Sequence, residues 1–250
     1  MAEPEGKVAL LAGASGLAGS HLLGALLAAA EFTRVYAVTR RPLGREHARL
    51  ANRIIPFDRL EAQLKGLVCH TAFCCLGASS RDAGSEREAR RVDFDYVLAF
   101  ARAAKAARAQ RFVFLSCMGA DSDSRSPSLR AKHDAEAALE ALGFGALDIL
   151  QPGPLLGVRR EMSVPELART LTALIATPFL FGPREARRGI AARSVAAAML
   201  GAARSGRRGV YRYTYSAIQA LADTTVRVRP ARASATRPSK AGQPSRKDLF

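Results

Sequence analysis

Lys7-Val8-Ala9-Leu10-Leu11-Ala12-Gly13-Ala14-Ser15-Gly16-Leu17-Ala18-Gly19 decides the fold of this chain. A short apolar strand runs into three glycines spaced G-x-x-G-x-x-G, and an apolar helical run follows. In such a turn Gly13 permits the tight reversal, Gly16 lets backbone approach a pyrophosphate, and Gly19 lets the helix pack closely on the strand. The unpaired N–H groups at the helix start, with the helix dipole, favour an anion. The stretch therefore predicts a dinucleotide site built from Gly13, Ala14, Ser15, Gly16, Leu17, Ala18 and Gly19.

Outward from it, strand and helix patterns alternate, which predicts a parallel sheet covered on both faces. Strands are expected at Val8–Ala12, Arg34–Thr39, Ile54–Phe57, Thr71–Leu76, Arg111–Ser116 and Leu147–Leu150. Helices are expected at Leu17–Ala30, Glu86–Ala107 and Leu129–Leu142, the last stopped by Gly143-Phe144-Gly145. The fold class is thus α/β, a Rossmann-type doubly wound parallel sheet. After Pro152-Gly153-Pro154 the pattern changes, with helices expected at Val164–Ala176 and within Ile190–Ala203 and a last strand at Val210–Tyr215. Residues 7–222 read as one nucleotide-binding domain whose part from about 155 to 222 is a substrate-covering segment. Residues 223–250, rich in Arg, Pro, Ser and Ala without periodicity, read as a basic disordered tail.

The chain has 250 residues and a formal net charge of +16. Its size suits one domain with a single core. The stretch from Arg227 onward holds seven Lys or Arg residues and one acid, Asp248. An Arg-rich surface with a solvated tail accounts for this balance, and the lack of interleaved aromatic residues argues against nucleic acid as a partner. The four cysteines, 69, 74, 75 and 117, form no C-x-x-C pair and complete no zinc pattern with the four histidines. They read as reduced structural thiols of a cytoplasmic protein, with Cys74 and Cys75 on opposite faces of a strand. The polar start is no signal peptide, and the longest apolar runs are too short to span a bilayer. A soluble protein without a metal or a membrane anchor is expected.

The second strand ends in Val38-Thr39-Arg40-Arg41, with no acidic residue to hold an adenosine ribose. Two guanidinium groups there suit a 2′-phosphate, which a carboxylate would repel. NADP rather than NAD is the expected cofactor. By position, Phe57-Asp58 would flank the adenine, and Leu76-Gly77-Ala78 would pass the ribose on the nicotinamide side.

Together these residues resemble the short-chain dehydrogenase/reductase superfamily, and within it the atypical branch of the HIV Tat-interacting-protein oxidoreductases and their small bacterial relatives. The likeness is carried by Gly13–Gly19, Thr39-Arg40-Arg41, Phe73-Cys74-Cys75-Leu76-Gly77, Ala83-Gly84-Ser85, Val92-Asp93-Phe94-Asp95-Tyr96, Ser116-Cys117-Met118-Gly119-Ala120-Asp121 and Pro152-Gly153-Pro154-Leu155-Leu156-Gly157. The resemblance implies NADPH binding by Gly13 to Gly19, Arg40, Arg41, Leu76, Gly77, a lysine and Leu155.

It also implies carbonyl reduction by a serine, a tyrosine and a lysine four residues after the tyrosine. Here the lysine matches Lys132, but Ser128 stands where the tyrosine belongs. A serine hydroxyl is shorter than a phenol and a far weaker acid, so it does not inherit that task. The family's serine corresponds to Ser116 or is replaced by Cys117, depending on register. Gln151 stands where the family tends to have Arg. Two readings follow: an NADP-dependent oxidoreductase acting on a small carbonyl or hydroxyl substrate, or a catalytically impaired NADPH-binding regulator or sensor. The second would act through a protein partner, and a homo-oligomer is compatible with either. Cys117 as a reactive thiol, and Tyr211, Tyr213 or Tyr215 as an alternative proton donor, complete the candidates.

Overall fold

The computed structural model describes residues 6–78, 85–157 and 188–227. The elements run β1 (Lys7–Ala12), α1 (Leu17–Ala28), β2 (Phe32–Thr39), β3 (Leu50–Ile54), a 3₁₀ turn (Phe57–Arg59) leading into α2 (Leu60–Gln63), then β4 (Thr71–Cys74). Next come α3 (Glu86–Arg90), a π-turn (Arg91–Asp95), α4 (Tyr96–Ala106), β5 (Arg111–Leu115), α5 (Pro127–Ala141) and β6 (Ala146–Leu150). The described chain closes with β7 (Leu155–Leu156), β8 (Ile190–Ala191), α6 (Ala192–Arg204), β9 (Gly209–Tyr213) and α7 (Tyr215–Arg227).

Seven strands form one parallel sheet in the order β3-β2-β1-β4-β5-β6-β9, the doubly wound arrangement expected. Strand order reverses between β1 and β4. At such a switch point the loops leaving neighbouring strands diverge, and a crevice opens at the carboxyl ends. Gly13 follows β1 and Cys75-Leu76-Gly77 follows β4, so both face that crevice.

The period-two rule divides the buried strands between two apolar layers. Ala9 and Leu11 of β1, with Val113 and Leu115 of β5, face the layer made with α1, α6 and α7. Val8, Leu10 and Ala12, with Phe112 and Phe114, face the layer made with α4 and α5. Cys74 packs in the second layer and Cys75 against the first, so the neighbouring thiols point opposite ways as expected.

Four expectations need correction. The third strand lies at Leu50–Ile54, not Ile54–Phe57, because Pro56 has no N–H for a ladder and the chain turns into the 3₁₀ segment. The helix expected over Glu86–Ala107 is interrupted by the π-turn Arg91–Asp95. The chain is still helical at 223, since α7 continues to Arg227 with Ile218 and Ala222 buried one turn apart. Finally, β9 is a strand of the main sheet and α6 contributes Val195, Met199 and Ala202 to its core, so these parts of the span 155–222 are body rather than cover. The helix expected at Val164–Ala176 and most of the tail lie outside the described residues.

Candidate functional site

The glycine turn is built as its spacing requires. Gly13 adopts φ +83°, and a Cβ there would stand 2.5 Å from the carbonyl oxygen of Cys75. A Cβ on Gly19 would stand 2.0 Å from the carbonyl oxygen of Gly13, so α1 can approach β1 only without a side chain. Gly16 N–H donates to the Gly13 carbonyl at 3.0 Å, closing the turn. Helix α1 has no side-chain cap at Gly16 and no acid in its first turn. Its first N–H groups therefore stay available to an external anion, and a dinucleotide's pyrophosphate fits this cradle. Gly157 brings the Leu155–Gly157 segment over the turn, where its own Cβ would lie 3.0 Å from Leu17. Leu155 packs against the core layer of α1.

Arg40 and Arg41 leave β2 exposed, and neither forms an ion pair with a described residue. The loop behind them is held by Asn52 of β3, which the sequence reading overlooked. Its amide donates to Thr39 Oγ1 at 2.7 Å and the Ala37 carbonyl at 3.1 Å, while its oxygen accepts the Leu43 N–H at 3.1 Å. Asp58 is placed by Arg91, which donates to both carboxylate oxygens at 2.7 and 2.8 Å, and by the Tyr96 hydroxyl at 3.1 Å. The Arg91 guanidinium holds the Asp58 carboxyl below the usual carboxylate range. Phe57 meets the Tyr96 ring edge-on at 5.5 Å, completing that corner.

At the other half of the crevice stands Asp93, fully buried in the π-turn. It accepts the Ala78 N–H at 3.0 Å and the Ser128 hydroxyl at 2.6 Å, and pairs with Lys132 Nζ at 3.2 Å. Lys132 is only 8% exposed. Ser128 and Lys132 lie four residues apart on α5, so one helix face presents both to the same carboxylate. A Cβ on Gly77 would come within 3.5 Å of Lys132 Nζ, which puts the ammonium directly beside the turn after β4. Asp93 is the residue that sequence reasoning missed as a site residue, although it lay within a quoted motif.

Ser116 follows β5, buried, and its hydroxyl donates to Glu136 Oε1. Gln151 Nε2 reaches both oxygens of Glu136 at 3.0 and 2.9 Å, and Arg212 of β9 approaches it at 3.5 Å. Ser116 is thereby turned toward helix α5. Cys117 is half-buried, and burial pushes its thiol upward despite the opposing field of Lys132. The C-terminal tyrosines are engaged elsewhere. The Tyr213 hydroxyl donates to Asp148 at 2.8 Å, Tyr211 lies under the Arg207 guanidinium at 4.3 Å, and Tyr215 accepts from Gln219 at 3.4 Å.

Comparison with known proteins agrees with this geometry. The sequence profile described as NAD dependent epimerase/dehydratase family matches residues 9–136. Protein HTATIP2 of Rattus norvegicus is 37% identical over 161 residues, covering 63% of this chain and 66% of the relative. The alignment thus spans just under two thirds of that relative's length. Protein FMP52, mitochondrial, of Saccharomyces cerevisiae is 32% identical over 171 residues, covering 67% of this chain and 74% of the relative. Among solved structures, MoeE5 in complex with UDP-glucose and NAD superposes with TM-score 0.64 at 20% identity, covering 89% of this chain and 81% of that one. UDP-glucuronic acid 4-epimerase from Bacillus cereus in complex with NAD gives TM-score 0.62 at 14% identity, with 83% and 77% covered. These last two share the fold. Among the described residues, no helix is long and apolar enough to cross a membrane. With its glycine turn, its switch-point crevice and a matching profile over half its length, the chain belongs to the NAD-dependent epimerase/dehydratase family of NAD(P)-binding Rossmann proteins.

Proposed function

We propose that this protein is an NADP-dependent oxidoreductase acting on a small carbonyl or hydroxyl substrate, with Lys132 as the charged group at the reacting end. The observation that carries this reading is the buried Asp93–Lys132 pair beside Gly77. Lysine is rarely buried unless paired, and a buried ion pair is poor evidence of stabilisation because desolvation offsets the attraction. Its place at the carboxyl edge of the sheet favours a binding role. When bound, the nicotinamide cofactor supplies or accepts a hydride.

The chain's own groups are then assigned as follows. Lys132 pairs with Asp93 at 3.2 Å and keeps N–H donors for ribose hydroxyls or a substrate oxygen. Asp93 holds the ammonium beside Gly77. Ser128, whose proton is committed to Asp93, accepts rather than donates. Leu76 and Gly77 lend backbone to the nicotinamide side, Leu155 covers the turn, and Asp58 takes the adenine edge. Arg40 and Arg41 select the 2′-phosphate, hence NADP over NAD.

The competing reading is an NADPH-binding regulator that acts through a protein partner. It is favoured by one observation: the hydroxyls of Ser116 and Ser128 both donate hydrogen bonds to carboxylates. Turnover decides between them. NADPH oxidation is measured with a panel of small aldehydes and ketones for the native chain, Lys132→Met and Ser128→Tyr. Native turnover that Lys132→Met abolishes supports the enzyme. Absence of turnover in the native chain with retained NADPH binding, and none gained in Ser128→Tyr, supports the regulator. A cytoplasmic location belongs to this proposal as well. The yeast relative's mitochondrial name sets the alternative, and cell fractionation separates the two.

A further inference from the structure

A second cleft runs along β2 and β3 from the amino end of β1. Val8 of β1 and Tyr36 of β2 line it, together with Arg34, Arg53 of β3, Lys65 and His70. Its volume is about 730 Å³, within the range of small-molecule sites. The cleft reaches from Val8, at the start of β1, to Arg53, the register partner of Val38 in β2, and no residue of the glycine turn lines it.

The polar lining is one-sided. Arg34, Arg53 and Lys65 contribute three positive charges, and no carboxylate among the described residues lines the cleft. None of the three forms an ion pair with a described residue. By contrast Arg90, Arg91, Arg130 and Arg204 each meet a carboxylate elsewhere on the surface. Among the described residues Arg34 reaches only the Ala48 carbonyl, at 3.5 Å, and Arg53 stands 5.8 Å above the Tyr36 ring. Half-buried His70 adds a directed donor. Its Nδ1 accepts the Val8 N–H at 2.9 Å, so the neutral ring carries its proton on Nε2. The remaining wall mixes Thr33 and Gln63 with apolar side chains, among them Leu67 and Val68, the latter 48% exposed.

Unmatched cations, a donor-only imidazole nitrogen and apolar side chains together recognise an anion carried on a hydrophobic body. We propose that this cleft binds a small organic anion, a carboxylate, sulfonate or phosphate ester on an apolar scaffold, independently of the nucleotide.

The test uses anilinonaphthalene sulfonate as probe, followed by fluorescence with and without saturating NADPH. One equivalent should bind in both conditions. Its affinity should fall about ten-fold in Arg53→Glu/Lys65→Glu, and it should weaken with added salt. The neutral analogue phenylnaphthylamine should show neither dependence. Complete displacement by NADPH, or equal affinity in the charge-reversed protein, overturns the proposal. Displacement by inorganic phosphate at the probe's own affinity overturns the apolar part of it. Should the double variant not fold, exposed Arg34→Gln replaces it, with a loss of two- to three-fold expected and an unchanged affinity contradicting the site.

Discussion

Two buried ion pairs stand in this sheet, and they differ in how completely their donors are used. At the start of β5, Arg111 donates to Asp148, to the Ala202 carbonyl at 3.0 Å and to the Arg207 carbonyl. Asp148 also receives the Tyr213 hydroxyl at 2.8 Å. That cluster ties β5, β6, β9 and α6 together and closes on itself. At the carboxyl edge the roles are reversed. Asp93 is the satisfied member, with two hydrogen-bond donors besides the ammonium, while Lys132 makes one ion pair and lies 5.5 Å above the Phe114 ring. A closed cluster is a structural pin. A pair whose cation retains donors toward an open crevice is equipped to bind something.

Arg111→Ala should therefore give the largest loss of stability. It leaves Asp148 buried without its guanidinium, a change that costs about 3–5 kcal/mol, read as a lowered denaturation midpoint. Burial already pushes the Asp148 carboxyl upward, so the variant's deficit should shrink as pH falls and the group takes a proton. A deficit that grows toward acid would break the comparison. Lys132→Met should cost about 2 kcal/mol, because Asp93 keeps the Ala78 N–H and the Ser128 hydroxyl. Its main effect should be on nucleotide affinity and turnover. An equal stability loss in both variants, with nucleotide binding untouched in Lys132→Met, would make the two pairs alike.

The smallest effect concerns the apolar layer between the two ends. Burial pushes the thiols of Cys69 and Cys74 up to about 12. The folded state then holds those protons more tightly than the unfolded chain, whose thiols titrate near 9.0. Their contribution to stability is complete below pH 9.0 and declines as pH rises toward 12. At pH 8 both buried thiols stay protonated, so alkylation of the native protein should be negligible there. Rapid alkylation of either thiol at that pH would show the layer to be open.

How far these features could be read from the chain follows from their sequence range. The glycine turn was legible because every residue of it is local, and the apolar strands because their burial is continuous. Asp93 was not, since it lies 39 positions from Lys132 and only the order β4–α4–β5–α5 brings them together. Glu136 was within reach, one helical turn beyond Lys132 on the face that already held Ser128. Its partner Arg212 comes from the last strand, and no local signal links the two. Pro56 signalled where β3 ends, and the spacing of Ile218 and Ala222 signalled α7 beneath its polar composition.

The central claim is that the carboxyl edge binds NADP through the glycine turn, with Arg40 and Arg41 choosing the phosphorylated form. Calorimetric titration with NADPH and with NADH tests it most directly, on the native chain and on Arg40→Glu/Arg41→Glu. The account predicts micromolar or tighter NADPH binding, at least ten-fold weaker NADH binding, and loss of that preference in the double variant. Equal affinity for both nucleotides, or binding of neither, would contradict it.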